Sequence, residues 1–84
     1  MPAVITAAAQ KVLEQPDNPL LALELANHLY HYQVSSTSAK VLEELETPTS
    51  DIRIAKYILL ALCYHDLRNK ESFEKSVSQI GVIQ

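Results

Sequence analysis

The sequence predicts an all-α fold made of antiparallel helical hairpins, and three observations lead to this class. Apolar residues recur three and four positions apart along most of the 84-residue chain, which places them on one face of a helix. The chain has one glycine, whereas a β-rich fold would need turn glycines at several hairpins. The breaks between apolar segments are about two to five residues long, which suits antiparallel neighbours. We therefore expect about five helices in one domain, residues 1–84.

The first two helices are predicted at residues 3–15 and 20–32, on either side of a turn that begins and ends with proline. The turn, residues 16–19, reads Pro-Asp-Asn-Pro. It ends the first helix, offers Asp or Asn as the next N-cap and puts a proline in the first turn of that helix. Apolar residues recur four positions apart at Val4, Ala8 and Val12 in the first helix, and the stripe of the second helix is Leu21, Leu25 and Leu29 with Ala22 and Ala26.

The third helix is predicted at residues 39–46, after a tight Ser-Ser-Thr-Ser turn at residues 35–38 whose hydroxyls could cap it. The Thr-Pro-Thr-Ser break at residues 47–50 ends this helix. Either Thr49 or Ser50 is then expected to cap the next one.

The fourth helix is predicted at residues 51–67 and the last at residues 70–80. The fourth is apolar nearly all round, so we expect it to be sandwiched between neighbours. The fifth is expected to turn Phe73, Val77 and Ile80 inward, and the tail at residues 81–84 to be frayed.

A pattern of residue types recurs in the two hairpins. The second hairpin reads Tyr57-x2-Leu60-Ala61-x2-Tyr64-x8-Phe73-x3-Val77-x2-Ile80, and 35 residues earlier the chain reads Ala22-x2-Leu25-Ala26-x2-Leu29-x8-Ser38-x3-Leu42-x2-Leu45. This pattern resembles the tetratricopeptide repeat, whose period is about 34 residues. The resemblance implies a short solenoid of stacked hairpins in which the first helix is half a repeat. It also implies that the small residues Ala26 and Ala61 let the helices of each hairpin approach closely.

Composition excludes several classes of function. The net charge is −3 with no basic stripe, so we expect no nucleic-acid partner. The longest apolar run, residues 57–64, is eight residues long, far below the roughly 20 needed to cross a bilayer. No positive charge precedes the apolar N-terminal stretch, so no signal peptide is predicted. Cys63 is the only cysteine, which indicates a reducing, cytoplasmic location.

The residues that could carry chemistry do not converge. The His and Cys residues that could ligate zinc are His28, His31, Cys63 and His65. Cys63 and His65 are two positions apart on a helix and point in different directions, and this also rules out a nucleophile–base pair. The run Glu43, Glu44 and Glu46 is interpreted as a solvated face. We therefore expect no enzymatic activity, no metal and no cofactor.

Function is then expected at a surface. In the repeat family, the first helix of each hairpin lines a concave groove. Carried over to this chain, the groove positions are Leu20, Leu23, Asn27, Tyr30, His31, Ala55, Ile58, Leu62, His65 and Asp66. Family members that grip acidic C-termini need charged or polar residues where this chain has Leu23, Ala55 and Ile58. The resemblance therefore implies an apolar groove for an amphipathic helix.

Two classes of function follow. In the first, the protein is a small chaperone or adaptor that sequesters a partner's amphipathic helix. It is then similar to the repeat-containing chaperones of type III secretion needle subunits, which hold the needle protein's C-terminal helix beside a second small helical protein. In the second, it is a structural subunit or fragment that docks permanently into a larger assembly or a homodimer. A soluble monomer with affinity for one helical peptide would favour the first class. A stable dimer with no free groove would favour the second class.

Overall fold

The computed structural model describes residues 2–83, and within that range it contains five helices and no strand. The helices are α1 (Ala3–Glu14), α2 (Pro19–His31), α3 (Ser35–Glu43), α4 (Ser50–Asp66) and α5 (Lys70–Ile83). The all-α prediction is confirmed. None of the helices in this part of the chain has the length and apolar character needed to span a bilayer.

Short polar side chains start three of the helices by accepting a hydrogen bond from an otherwise unpaired backbone N–H group. Asn18 Oδ1 accepts from Leu20 N at 3.1 Å, with Pro19 as the first residue of α2. Thr49 Oγ1 accepts from Ile52 N at 3.4 Å, and the same type of bond joins the side chain of Asn69 to α5. The predicted caps of α2 and α4 are confirmed.

The third helix begins four residues earlier than predicted and ends three residues earlier. Ser35 and Ser38 are buried inside its first turn because each hydroxyl finds a distant acceptor. The Ser35 hydroxyl donates to Asp66 Oδ2 at 3.0 Å, and the Ser38 hydroxyl donates to the carbonyl oxygen of Ala26 at 2.7 Å. With their side chains engaged there, the serines form helix rather than turn. At the other end the chain leaves the helix after Glu43, and the Leu45 carbonyl accepts a hydrogen bond from the Lys56 ammonium on α4 at 3.0 Å.

The last helix also differs from the prediction. It continues through Gly81 to Ile83, because one glycine weakens a helix by only about 1 kcal/mol without ending it. Gln84 lies outside the described residues. Ser76 is buried, whereas Val77, expected to face inward, is 45% exposed. The Ser76 hydroxyl donates a hydrogen bond to the carbonyl of Ser72 at 2.9 Å. Because its polar group is paired within the helix, Ser76 can be buried.

The turns after α2 and α4 are Schellman motifs with the same hydrogen bonds 35 residues apart. Val34 N donates to the Leu29 carbonyl at 2.8 Å, and Asn69 N donates to the Tyr64 carbonyl at 2.9 Å. In each turn one residue lies in the left-handed region: Gln33 with φ 64° and Arg68 with φ 56°. These motifs pair the last carbonyls of each helix and reverse the chain.

The five helices form a slab of 33 × 28 × 15 Å. Each contacts the next in sequence, and α2 also contacts α4. Among the described residues, the backbones of α1 and α3 do not approach each other, nor do those of α3 and α5. As a result α2 is covered by α1 on one side and by α3 and α4 on the other.

The core has two parts that meet at α2. One joins α1 to α2 and consists of Ile5, Ala8, Leu25 and Leu29. The other joins α2, α3 and α4 and consists of Ala26, Ala39, Leu42, Leu59, Leu60 and Cys63. The prediction that α4 is sandwiched holds for only part of its surface, since Ile58 and Leu62 stay 47% and 42% exposed. Although α4 contacts α2, α3 and α5, none of them covers these two side chains.

Candidate functional site

The ten residues predicted to line a groove lie on α2 and α4, which contact each other. We call this set the α2/α4 groove. The residues of each helix correspond at a spacing of 35, the spacing of the two Schellman turns. Eight of the ten are exposed and two are half-buried. The exposed ones are Leu20, Asn27, His31, Ala55, Ile58, Leu62, His65 and Asp66. The structure thus leaves most of the predicted site accessible.

Three large apolar side chains of the α2/α4 groove face solvent. Leu20 is 61% exposed, and Ile58 and Leu62 are four residues apart on one face of α4. An exposed leucine by itself is ordinary. Two neighbouring ones on a helix that also contacts α2 make an apolar surface that a partner could cover.

Leu23 and Tyr30 differ from these three because they also serve the core. Both are half-buried and pack against the cluster around Leu42 and Leu60. These two groove residues are therefore shared between the surface and the core. The reason is that α2 contacts α3 and α4 at once, so one face of α2 serves both the core and the surface.

The polar residues at one end of the α2/α4 groove contact other side chains of the protein. The His65 ring lies 5.9 Å from the ring of Phe73 on α5. The Asp66 carboxylate accepts from Ser35 at the start of α3. On α2, the His31 ring meets the Tyr30 ring edge-on at 5.6 Å. These contacts orient the side chains but leave them accessible to a partner.

Beneath the groove, a chain of buried polar groups ties three helices together. The Cys63 thiol on α4 donates to the Ser38 hydroxyl at 3.3 Å, and this hydroxyl donates to the Ala26 carbonyl on α2. Burial raises the pKa of the Cys63 thiol, and the nearby Asp66 carboxylate raises it further, against the hydrogen bond to Ser38. The thiolate is the reactive form of cysteine, so this environment suits a structural role.

The histidines predicted as candidate metal ligands are dispersed. His28 Nε2 lies 3.7 Å from a carboxylate oxygen of Glu24, one turn earlier on the same helix. Cys63 is fully buried while His65 is exposed. Nowhere in the described part of the chain do three His, Cys, Asp or Glu residues form a group that could hold a metal ion.

A second feature was not predicted from the sequence. A cleft of about 800 Å³ opens between α1 and α3, with α2 as its floor. We call it the α1/α3 cleft. Its apolar lining is Val12, Ala22, Leu25, Val41 and Leu45, and its other residues are Pro16, Asp17, Pro19, Glu44, Glu46, Thr47 and Pro48. Glu44 and Glu46 belong to the acidic run that was interpreted as a solvated face, and both are exposed as that interpretation expects.

Comparison with protein-family models, with curated proteins and with solved structures finds no match to this chain. The geometry of the two surfaces is therefore the ground for a functional conclusion. One surface is the exposed apolar one on α2 and α4. The other is a cleft with an acidic rim, between α1 and α3.

Proposed function

We propose that this protein is a non-enzymatic protein-binding module that sequesters an amphipathic helix of a partner on the α2/α4 groove. The observation that carries the proposal is the exposure of Leu20, Ile58 and Leu62 on two helices in mutual contact. A partner helix with its own apolar stripe would cover these side chains, as in other helix-in-groove complexes. Completing the burial of each is worth about 1 kcal/mol on area.

The proposed architecture is a short TPR-like solenoid of two hairpins and one preceding helix. Two features support it. The Schellman turns repeat at the same 35-residue spacing as the sequence pattern. The first helices of the two hairpins, α2 and α4, contact each other, whereas the second helices, α3 and α5, stay apart. A stack of this kind presents its first helices side by side, which is the surface that the proposed partner needs.

Within this function, the resemblance suggests a small cytoplasmic chaperone like those of type III secretion needle subunits. Such a protein would shield an aggregation-prone helix and could work with a second small helical protein. The burial of Cys63 and its hydrogen bond to Ser38 keep the groove-bearing helices in fixed register, which favours a preformed surface over one that folds on binding.

The test is selection of amphipathic helical peptides from a display library, followed by affinity measurement on two variants. Leu62→Glu places a charge in the groove, and Val77→Glu places one at a valine of similar exposure on α5. We expect the selected peptides to bind Leu62→Glu at least about tenfold more weakly than wild type, a loss of about 1.4 kcal/mol. They should bind Val77→Glu as they bind wild type.

A thermal melt of each isolated variant accompanies the binding measurement. Both substitutions are at exposed positions, so both should melt close to wild type. If Leu62→Glu unfolds while Val77→Glu does not, Leu62 belongs to the core and the groove proposal is wrong. A stable dimer in sedimentation equilibrium that Leu62→Glu dissociates would instead support the alternative, permanent docking against a second copy.

A further inference from the structure

The α1/α3 cleft arises from the packing order of the first three helices. Helices α1 and α3 both pack on α2 but do not approach each other. The gap between them is floored by Ala22 and Leu25 and flanked by Val12, Val41 and Leu45. Leu25 also belongs to the core part shared with α1, so the floor lies on the α1 side of α2. The cleft is therefore separate from the exposed residues of the α2/α4 groove.

The walls of the cleft are rigid. Pro16 and Pro19 bracket the turn between α1 and α2, and Pro48 lies in the connection between α3 and α4. Proline fixes its own φ angle and restricts the residue before it. The Lys56 ammonium on α4 also donates to the Leu45 carbonyl at 3.0 Å, which holds the end of α3. A cleft with such walls is preformed, so a ligand would lose little free energy in ordering it.

The charges at the rim have one sign. Asp17, Glu44 and Glu46 line the cleft and are exposed, while no lysine or arginine is among its lining residues. The Lys56 ammonium is engaged with the carbonyl of one lining residue, Leu45. Three carboxylates around an apolar floor attract a cation and repel an anion.

We infer that the α1/α3 cleft is a second docking site, for a peptide segment with apolar side chains flanked by lysine or arginine. The apolar side chains would contact Val12, Ala22 and Leu45, and the cationic ones would pair with Asp17, Glu44 and Glu46. The volume of about 800 Å³ falls in the range of ordinary ligand pockets and accommodates a few side chains. The protein then has an exposed apolar surface on α2 and α4 and a separate cleft that selects cations.

The first experiment compares two probe peptides by NMR titration of the ¹⁵N-labelled full chain. One is an amphipathic peptide of leucine and lysine, about 14 residues or roughly four helical turns long. The other has glutamate in place of each lysine. We expect the lysine peptide to shift amide signals around Ala22, Val41 and Leu45, and the glutamate peptide to leave them unchanged. Raising the ionic strength from about 0.1 M to about 1 M shortens the Debye length from about 10 Å to about 3 Å and should weaken binding.

The second experiment uses variants that change the rim or the floor. Glu44→Gln with Glu46→Gln removes two rim charges, and the matched control, Glu71→Gln with Glu74→Gln, removes two exposed charges from α5. We expect roughly fivefold weaker binding of the lysine peptide for the rim pair and no change for the control pair. Ala22→Leu, which fills the floor, should weaken binding by a similar factor.

Three results would overturn the inference: equal binding of the two peptides, equal loss for the rim and control pairs, or shifts centred on Ile58 and Leu62. The last result would leave the α2/α4 groove as the docking surface for the peptide. Conversely, if Leu62→Glu leaves the shifts at Ala22 and Leu45 intact, the cleft binds independently of the groove. All of the charge variants are at exposed positions, so each is expected to fold. A thermal melt of each variant checks this.

Discussion

Ser38 shows how much one side chain decides in a small core. It is fully buried, accepts a hydrogen bond from the Cys63 thiol and donates one to the Ala26 carbonyl, so it links α3 to both α4 and α2. A buried hydroxyl without partners would cost about 1–3 kcal/mol. The Ser38 hydroxyl acts as both donor and acceptor. Among the described residues no buried side-chain nitrogen or oxygen lacks a hydrogen-bond partner.

We predict that Ser38→Ala destabilises the protein by about 1–2 kcal/mol, measured by urea denaturation. The substitution removes the hydroxyl that accepts the hydrogen bond of the Cys63 thiol and donates one to the Ala26 carbonyl. Ser36→Ala is the matched control because Ser36 is exposed in the same helical turn, and any gain in helix propensity is shared by both variants. Equal midpoints for the two variants would show that the buried chain of hydrogen bonds adds nothing to stability.

The turns after α2 and α4 have the same geometry, and in each a residue other than glycine adopts a left-handed backbone conformation. Gln33 and Arg68 occupy a region where a side chain costs about 1–2 kcal/mol, and glycine is the usual residue at this point of a Schellman motif. The hydrogen bonds of each turn hold these residues in place.

Arg68→Gly is therefore expected to stabilise the protein by about 0.5–1 kcal/mol, seen as a higher melting temperature. Arg68→Ala is the control, since it removes the same side chain and keeps the strain of a Cβ atom at positive φ. It should not raise the melting temperature. If the alanine variant is stabilised as much as the glycine variant, the gain comes from loss of the arginine side chain and not from relief of backbone strain.

At the scale of the whole molecule, α4 holds the second hairpin to the rest of the core. It contacts α2, α3 and α5, and its buried residues include Leu59, Leu60 and Ala61. The Tyr64 hydroxyl adds a bond of 3.1 Å to Glu43 on α3, and burial together with that carboxylate raises the pKa of Tyr64. By comparison, α5 adds no fully buried apolar side chain among its described residues.

Ala61→Leu should lower the free energy of unfolding by about 1–3 kcal/mol because a larger side chain has no room at this buried position. Ala55→Leu is the control on the same helix, at an exposed position, and should change stability by less than about 0.5 kcal/mol. Thermal or urea unfolding of the two variants measures the difference. If Ala61→Leu unfolds at the same temperature or urea concentration as Ala55→Leu, α4 does not pack closely at this face.

The fold class, the five helices and the caps of α2 and α4 follow from local features of the amino-acid sequence. These depend on local features such as apolar spacing, Asn18 before Pro19, and Thr49, which act within a few residues of the chain. The sequence also placed Ile58 and Leu62 among the expected groove residues, and both are exposed in the structure. Whether they bind a partner helix stays a prediction.

The start of α3, the buried face of α5 and the position of the cleft depend instead on contacts between helices. Ser35 and Ser38 join the helix because Asp66 and Ala26, distant in sequence, accept their hydrogen bonds. Ser76 replaces Val77 at the inward position through the rotation of α5 on α4. The α1/α3 cleft exists because two helices pack on α2 without meeting. Each of these outcomes depends on the placement of residues far apart in the chain, which local spacing does not encode.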